Sequence, residues 1–256
     1  MGRRTTYSHG TFCWVDLSTP DVQAADDFYE RVFGWSAEEL PSGGYWMFER
    51  DEAAMAGLAA LTEEQEASGM HRGWATYVSV DDVDALCPRV AELGGTVESA
   101  PFDVQGAGRM AAITDPQGAR VLLWQPGTFA GAEVVNEVGA WSWNDLQTPD
   151  MDAAAAFYSQ LLGWQVEDIP GAGGQYRTIK HEGRSIGGLM PLPPGVEAPA
   201  WNVYFGVHSA GATFEHVEAA GGVRVAGPID VPAGRFGVAT DPLGATFCVV
   251  EGQFDD

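Results

Sequence analysis

Cations are scarce in this chain of 256 residues. Lys and Arg together number 13 against 36 Asp and Glu, Lys180 is the sole lysine, and the formal net charge is −23. Such a field repels phosphate backbones and anionic membrane surfaces, which argues against nucleic acid or a membrane as partner. Cysteine is scarce too. Cys13, Cys87 and Cys248 are odd in number, far apart and without a C-x-x-C pair. That pattern argues against a disulfide framework or a zinc site and points to a reducing cytoplasm. No apolar run is long enough for a bilayer, and the polar start Met1-Gly2-Arg3-Arg4-Thr5 lacks the apolar core of a signal peptide. Serine-nucleophile, dinucleotide and phosphate-loop motifs are absent as well. Gly171-Ala172-Gly173-Gly174 connects strands and opens no helix.

What is present is written twice. Trp-Val-Asp-Leu-Ser-Thr-Pro-Asp at Trp14–Asp21 leads through Phe28-Tyr29 to Gly34-Trp35. Trp-Asn-Asp-Leu-Gln-Thr-Pro-Asp at Trp143–Asp150 leads through Phe157-Tyr158 to Gly163-Trp164, at a constant spacing. An internal repeat of this kind dictates the architecture before any single element does. The first strand is expected over 11–17. Thr19 would cap the following helix, with Pro20 and Asp21 in its first turn. Gly34 would stop it, with apolar Trp35 closing over the last turn. Short strands follow near 35–40, 45–50 and 54–61. A second variation opens with a strand over 74–80 after the acidic stretch 62–73. Its helix stops at Gly94-Gly95 and its hairpin runs through Asp115-Pro116-Gln117-Gly118. The second half repeats the plan, with strand 140–146, helix 149–162, strand 201–207, a helix stop at Gly221-Gly222 and a hairpin through Asp241-Pro242-Leu243-Gly244. The expected fold is therefore α+β, with four βαβββ units in two domains. Residues 1–127 form one and residues 138–256 the other, joined by a linker over 128–137.

These motifs resemble the vicinal oxygen chelate superfamily, which includes glyoxalase I, bleomycin-resistance proteins and extradiol dioxygenases. They are closest to a tandem actinobacterial glyoxalase-like subgroup. The resemblance rests on strand-D-x-x-x-x-x-x-F-Y-x-x-x-G-W, the double-glycine helix stop and the D-P-x-G hairpin. It implies paired units whose curved mixed sheets form cups that hold the ligand, with His, Gln or Glu ligands to a metal on facing strands. Carried over residue by residue, those ligand positions fall on Trp14 and Trp143, near Ala75 and Asn202, on Leu122 and Cys248, and near Gly57 and Gly187. Trp, Ala, Leu and Gly offer no lone pair to a divalent ion, and Cys248 would stand alone. The histidines do not supply the deficit. Alternation turns His9 away, His71 and His181 lie at loop or hairpin ends, His208 ends a strand, and His216 is on a helix. No metal and no cofactor is expected.

The same alternation nominates a different lining. Phe12, Trp14 and Asp16 share a face, as do Trp141, Trp143 and Asp145. Tyr77, Trp124, Asn202 and Tyr204 join them from neighbouring strands. Aromatic walls with a few polar points suit a flat aromatic or apolar metabolite, and equally an ordinary filled core. Arg109 and Arg235 begin matching strands and could anchor a carboxylate or enolate, or pair with nearby acids. Asp16 and Asp145 are candidate general bases, or else bond the backbone of the turn into the helix. Three readings follow. The first is a metal-free protein that binds or sequesters a small aromatic or apolar metabolite. The second is a metal-free isomerase, lyase or hydroxylase-associated enzyme using the same cup. The third is a metal-dependent glyoxalase or dioxygenase. The molecule is expected to be a monomer or homodimer.

Overall fold

Asp21, rather than Thr19, starts the first helix. Its side chain accepts from the Ala24 amide, while Thr19 stays on the strand and accepts from the Asp21 amide. Asp150 does the same in the second half. Asp places a negative charge on the positive helix end as well as satisfying an orphan N–H, which Thr cannot do. Gly34 and Gly163 stop the helices in the left-handed region, at φ 72° and 73°.

The computed structural model describes residues 3–67, 70–169, 173–232 and 234–254. Met1, Gly2, Ser68 and Gly69 of the acidic stretch, and Gly171 and Ala172 lie outside them. The first half runs β1 (Phe12–Thr19), α1 (Val22–Phe33), β2 (Ser36–Glu39), β3 (Tyr45–Arg50), β4 (Ala53–Ala60), α2 (Glu63–Ala67), β5 (Gly73–Ser79), α3 (Val83–Glu92), β6 (Thr96–Val104), β7 (Gly108–Thr114) and β8 (Arg120–Pro126). The second runs β9 (Trp141–Thr148), α4 (Met151–Leu162), β10 (Gln165–Asp168), β11 (Arg177–His181), β12 (Arg184–Pro191), β13 (Ala200–Val207), α5 (Ala210–Ala219), β14 (Val223–Val231), β15 (Gly234–Thr240) and β16 (Thr246–Gly252). The short α2 was not expected. Among the described residues no helix is long and apolar enough to cross a membrane.

Units pair within each half. One open mixed sheet has the order β2-β3-β4-β1-β5-β8-β7-β6, the other β10-β11-β12-β9-β13-β16-β15-β14. The first strand of each unit runs parallel to its last, and the two units of a half meet antiparallel at β1/β5 and at β9/β13.

The sheets pack back to back, and the repeated motif supplies the interface. Tyr29 on α1 donates to Asp241 in the other half's D-P-x-G turn, and Tyr158 on α4 donates reciprocally to Asp115. Each tyrosine hydroxyl also accepts from an indole, Trp74 or Trp201. Trp35 and Trp164 donate across to the carbonyls of Gly139 and Gly10. Thr76 meets Asn144 between the sheet backs. The Phe-Tyr pairs and the Trp of each Gly-Trp are thus the seam between the halves, buried where a polar atom must find a partner.

Candidate functional site

The opposite face of each sheet gathers the same set of four side chains, a Trp and an Asp from β1 or β9 and two tyrosines from neighbouring segments. In the first half Tyr77 donates to Asp16 at 2.6 Å, Tyr45 donates to Asp16 at 3.4 Å, and the Trp14 indole donates to the Tyr45 oxygen at 2.9 Å. In the second half Tyr176 donates to Asp145 at 2.6 Å, while the Trp143 indole reaches Asp145 at 2.8 Å and Tyr176 at 2.9 Å. The Tyr204 hydroxyl also faces Asp145 and favours its ionised form. Asp16 and Asp145 therefore serve neither turn, and the helix caps fall to Asp21 and Asp150 instead. Gly57 and Gly188 make the arrangement possible. A Cβ on Gly57 would collide with the Tyr45 hydroxyl, and one on Gly188 with the Tyr176 hydroxyl and the Asp145 carboxylate. The cup-facing glycine of the second half is Gly188, in register with Asp145, one residue beyond the expected Gly187.

Burial pushes the Asp16 carboxyl up to about 6, against the pull of the Tyr77 and Tyr45 hydroxyls and of Arg120. Asp145 is raised for the same reason, opposed by Tyr176, Tyr204 and Trp143. Burial and these carboxylates hold all four tyrosines well above the usual range, so each is a neutral donor. A carboxyl with a raised folded pKa holds its proton more tightly folded than unfolded. Its stabilisation is full below the unfolded value of 3.8 and is lost as pH rises through about 6. Urea unfolding should therefore show wild type gaining about 1 kcal/mol between pH 7 and pH 5 that the Asp16→Asn variant lacks. Parallel pH profiles for the two proteins would refute this.

The two cups differ in what fills them. In the first, Phe129 of the linker stands edge-on to Trp14 at 4.9 Å and 87°, and also edge-on to Trp124 at 6.3 Å. The Trp124 indole donates to the Phe129 carbonyl, and Trp14 is 4% exposed. In the second, Trp143 is only half-buried and faces a cavity of about 1290 Å³. Trp141, Asp145, Tyr176, Tyr204, Phe236 and Val250 line it, with Arg4, Tyr7 and Phe12 arriving from the other end of the chain. Phe254 follows β16 much as Phe129 follows β8, but it rests beside Gly206 and Ser142.

Trp143 and Tyr204 thus meet at the open cavity, which Trp141 only borders, and Trp14 and Trp124 meet around Phe129 with Tyr77 against Trp124. The expected alternation breaks at two bulges. Phe12 pairs with Val78 and Trp141 with Phe205, so both turn towards the back face. Phe12 packs on Trp164 and Trp201 at the edge of the second cavity. Asn202 lies in register with Asp145, and its buried amide nitrogen has no acceptor. Arg109 and Arg235 lie at the surface. Arg109 grips Asp84 with two nitrogens and Asp103 with a third, and Arg235 pairs with Asp230. Tyr45, Tyr176 and Phe129 escaped the sequence reading. The signal for the tyrosines is a double glycine upstream of each, Gly43-Gly44 directly before Tyr45 and Gly173-Gly174 separated from Tyr176 by Gln175.

The superfamily's metal positions do not fit a divalent ion. Trp14 and Trp143 donate through their indoles, and Gly57 and Gly188 bring no side chain. Cys248, in register with Tyr204, is buried and its thiol is pushed up by that burial. Among the described residues no three His, Cys, Asp or Glu gather as donors.

The Glyoxalase/Bleomycin resistance protein/Dioxygenase superfamily model matches residues 11–123, and a Glyoxalase-like domain model matches residues 143–250. The chain is 43% identical over 258 residues to "Putative glyoxylase CFP32" of Mycobacterium tuberculosis, covering 98% of each. It is 37% identical over 262 residues to anthracycline biosynthesis protein DnrV of Streptomyces peucetius, covering 96% of this chain and 95% of that one. Among solved structures it is similar to the Mn(II)-bound glyoxalase from Novosphingobium aromaticivorans, with TM-score 0.66 and 18% identity over 100% of this chain and 86% of that one. The 2,3-dioxygenase LapB from Pseudomonas gives TM-score 0.64 and 16% identity, covering 98% and 94%. At those identities the structural likeness concerns the fold. Sequence and fold agree that the chain belongs to the glyoxalase/bleomycin resistance protein/dioxygenase superfamily, with one such domain in each half.

Proposed function

We propose that the chain binds one flat aromatic metabolite per molecule in the C-terminal cup, without a metal ion. The observation that carries this reading is the contrast between two otherwise matching cups. Both hold a Trp-Asp-Tyr-Tyr set, but Phe129 fills one and the other opens into about 1290 Å³. Phe129 indicates what the open cup accepts, since an aromatic ring set edge-on to the tryptophan is the stable filling of this shape. The cavity exceeds the roughly 300–1,000 Å³ usual for a small-molecule site, which leaves room for fused rings. The name of the Streptomyces relative, an anthracycline biosynthesis protein, fits a ligand of that shape. The donor set argues against the metal chemistry of an Mn(II)-bound glyoxalase. The three buried free thiols suit a reducing cytoplasm.

Calorimetric titration with a panel of fused-ring aromatics tests the reading. One saturable equivalent is expected, weakened at least about tenfold by Trp143→Ala and unchanged by Trp14→Ala. A flat response from every compound, or equal sensitivity to both substitutions, would count against it.

A second reading is favoured by the buried Asp145, whose carboxyl is raised by that burial and which lies beside Tyr176. That pair could take a proton from a bound ligand and return it, making the protein an isomerase or lyase. Recovery of the ligand unaltered after long incubation decides for binding alone. Conversion lost in Asp145→Asn with binding retained decides for the enzyme.

A further inference from the structure

The excess of acids in this chain neutralises most of its cations. From Arg50 to Arg235, one after another lies within 4.0 Å of a carboxylate. Among the described residues Arg3, Arg4, Arg31 and Arg184 are the arginines with no ion pair. Arg4 and Arg184 both line the cavity of the C-terminal cup. In a chain with 36 Asp and Glu, an unpaired guanidinium at the wall of an aromatic cavity is an unused binding element.

Both arginines are held in place by their backbones. The Arg4 amide bonds the Glu133 carbonyl, and Arg3 bridges to Val134, which pins the N-terminal segment along the linker. Arg184 opens β12 directly after the tight turn at Glu182 and Gly183, with φ of 50° and 78°. The acids that share the cavity are already engaged. Asp145 accepts from Tyr176 and Trp143, and Glu182 accepts from Ser8. Arg4 is half-buried and Arg184 exposed, whereas Asp145 is buried, so charge at the cavity runs from a deep carboxylate to cations nearer solvent.

We infer that the ligand of this cup carries a carboxylate on its aromatic ring system, and that Arg4 and Arg184 recognise it. The inference rests on the aromatic-ligand reading above and narrows it to aromatic acids. Rings would enter against Trp143 and Tyr204, leaving the carboxylate at the cationic wall. Phosphate esters are disfavoured by the overall charge of −23, which weighs more on a dianion.

Calorimetry of the full chain with 2-naphthoate and its methyl ester, at neutral pH and low salt, tests this. The acid is expected to bind about tenfold tighter than the ester, with the preference shrinking as salt is added. The double variant Arg4→Gln/Arg184→Gln should lose the preference, whereas Arg31→Gln, equal in charge change per site but on the exposed face of α1, should retain it. Equal binding of acid and ester, or a preference that survives the double variant, overturns the inference and leaves the aromatic cup standing. Failure of both compounds to bind at all removes the cup reading together with it.

Discussion

Gly188→Ala should weaken aromatic-ligand binding at least about tenfold while the protein stays folded. The added Cβ would meet the Tyr176 hydroxyl and the Asp145 carboxylate, so the tyrosine must leave its bond to Asp145. Its ring then swings into the space the ligand needs, and Trp143 loses one of the two oxygens its indole bonds. Gly57→Ala places the same collision on Tyr45 in the cup that Phe129 fills. Overpacking of this kind costs about 1–3 kcal/mol in either half. The stability losses should therefore be alike, but ligand affinity should fall only in Gly188→Ala. Calorimetric affinity beside urea midpoints for the two variants reads both effects. Binding lost in Gly57→Ala and kept in Gly188→Ala would assign function to the other cup.

Trp35→Ala should lower stability by about 3–5 kcal/mol, a large share of what a typical domain has. The ring is fully buried and lies 5.0 Å from Phe33, 5.4 Å from Phe48 and 5.1 Å from Phe205. Its indole N–H satisfies the Gly139 carbonyl, which truncation would leave buried and unpaired. Because Phe205 and Gly139 belong to the second half, the loss falls on the seam between domains. Urea unfolding measures it, and a loss below about 1 kcal/mol would refute the role assigned to Trp35.

Most elements are legible in the sequence to within a residue or two. Signals such as Gly34, Gly163 and the D-P-x-G hairpins act over a few neighbouring residues and need no tertiary context. The helix start is not legible in the sequence because Thr19-Pro20-Asp21 offers two capping side chains, and only the backbone turn decides which reaches the amides. Side-chain alternation identified Trp14 with Asp16 and Trp143 with Asp145, and failed at Phe12 and Trp141. A bulge shifts parity without leaving a mark in composition. Tyr176, which completes the open site, lies 31 residues from Asp145, and the register of three strands brings them together.

The sequence by itself determined four βαβββ units in tandem, and it placed side chains unsuited to a metal where superfamily ligands would stand. Both conclusions depend on which residues occupy fixed places in a repeated pattern. The tertiary structure alone decided that units pair within halves and that the repeated Tyr and Trp residues join the halves. It also decided that Phe129 closes one cup while the other stays open beside Arg4 and Arg184. Those outcomes depend on which distant segments compete for the same buried surface or the same charge, and a linear sequence does not carry that competition.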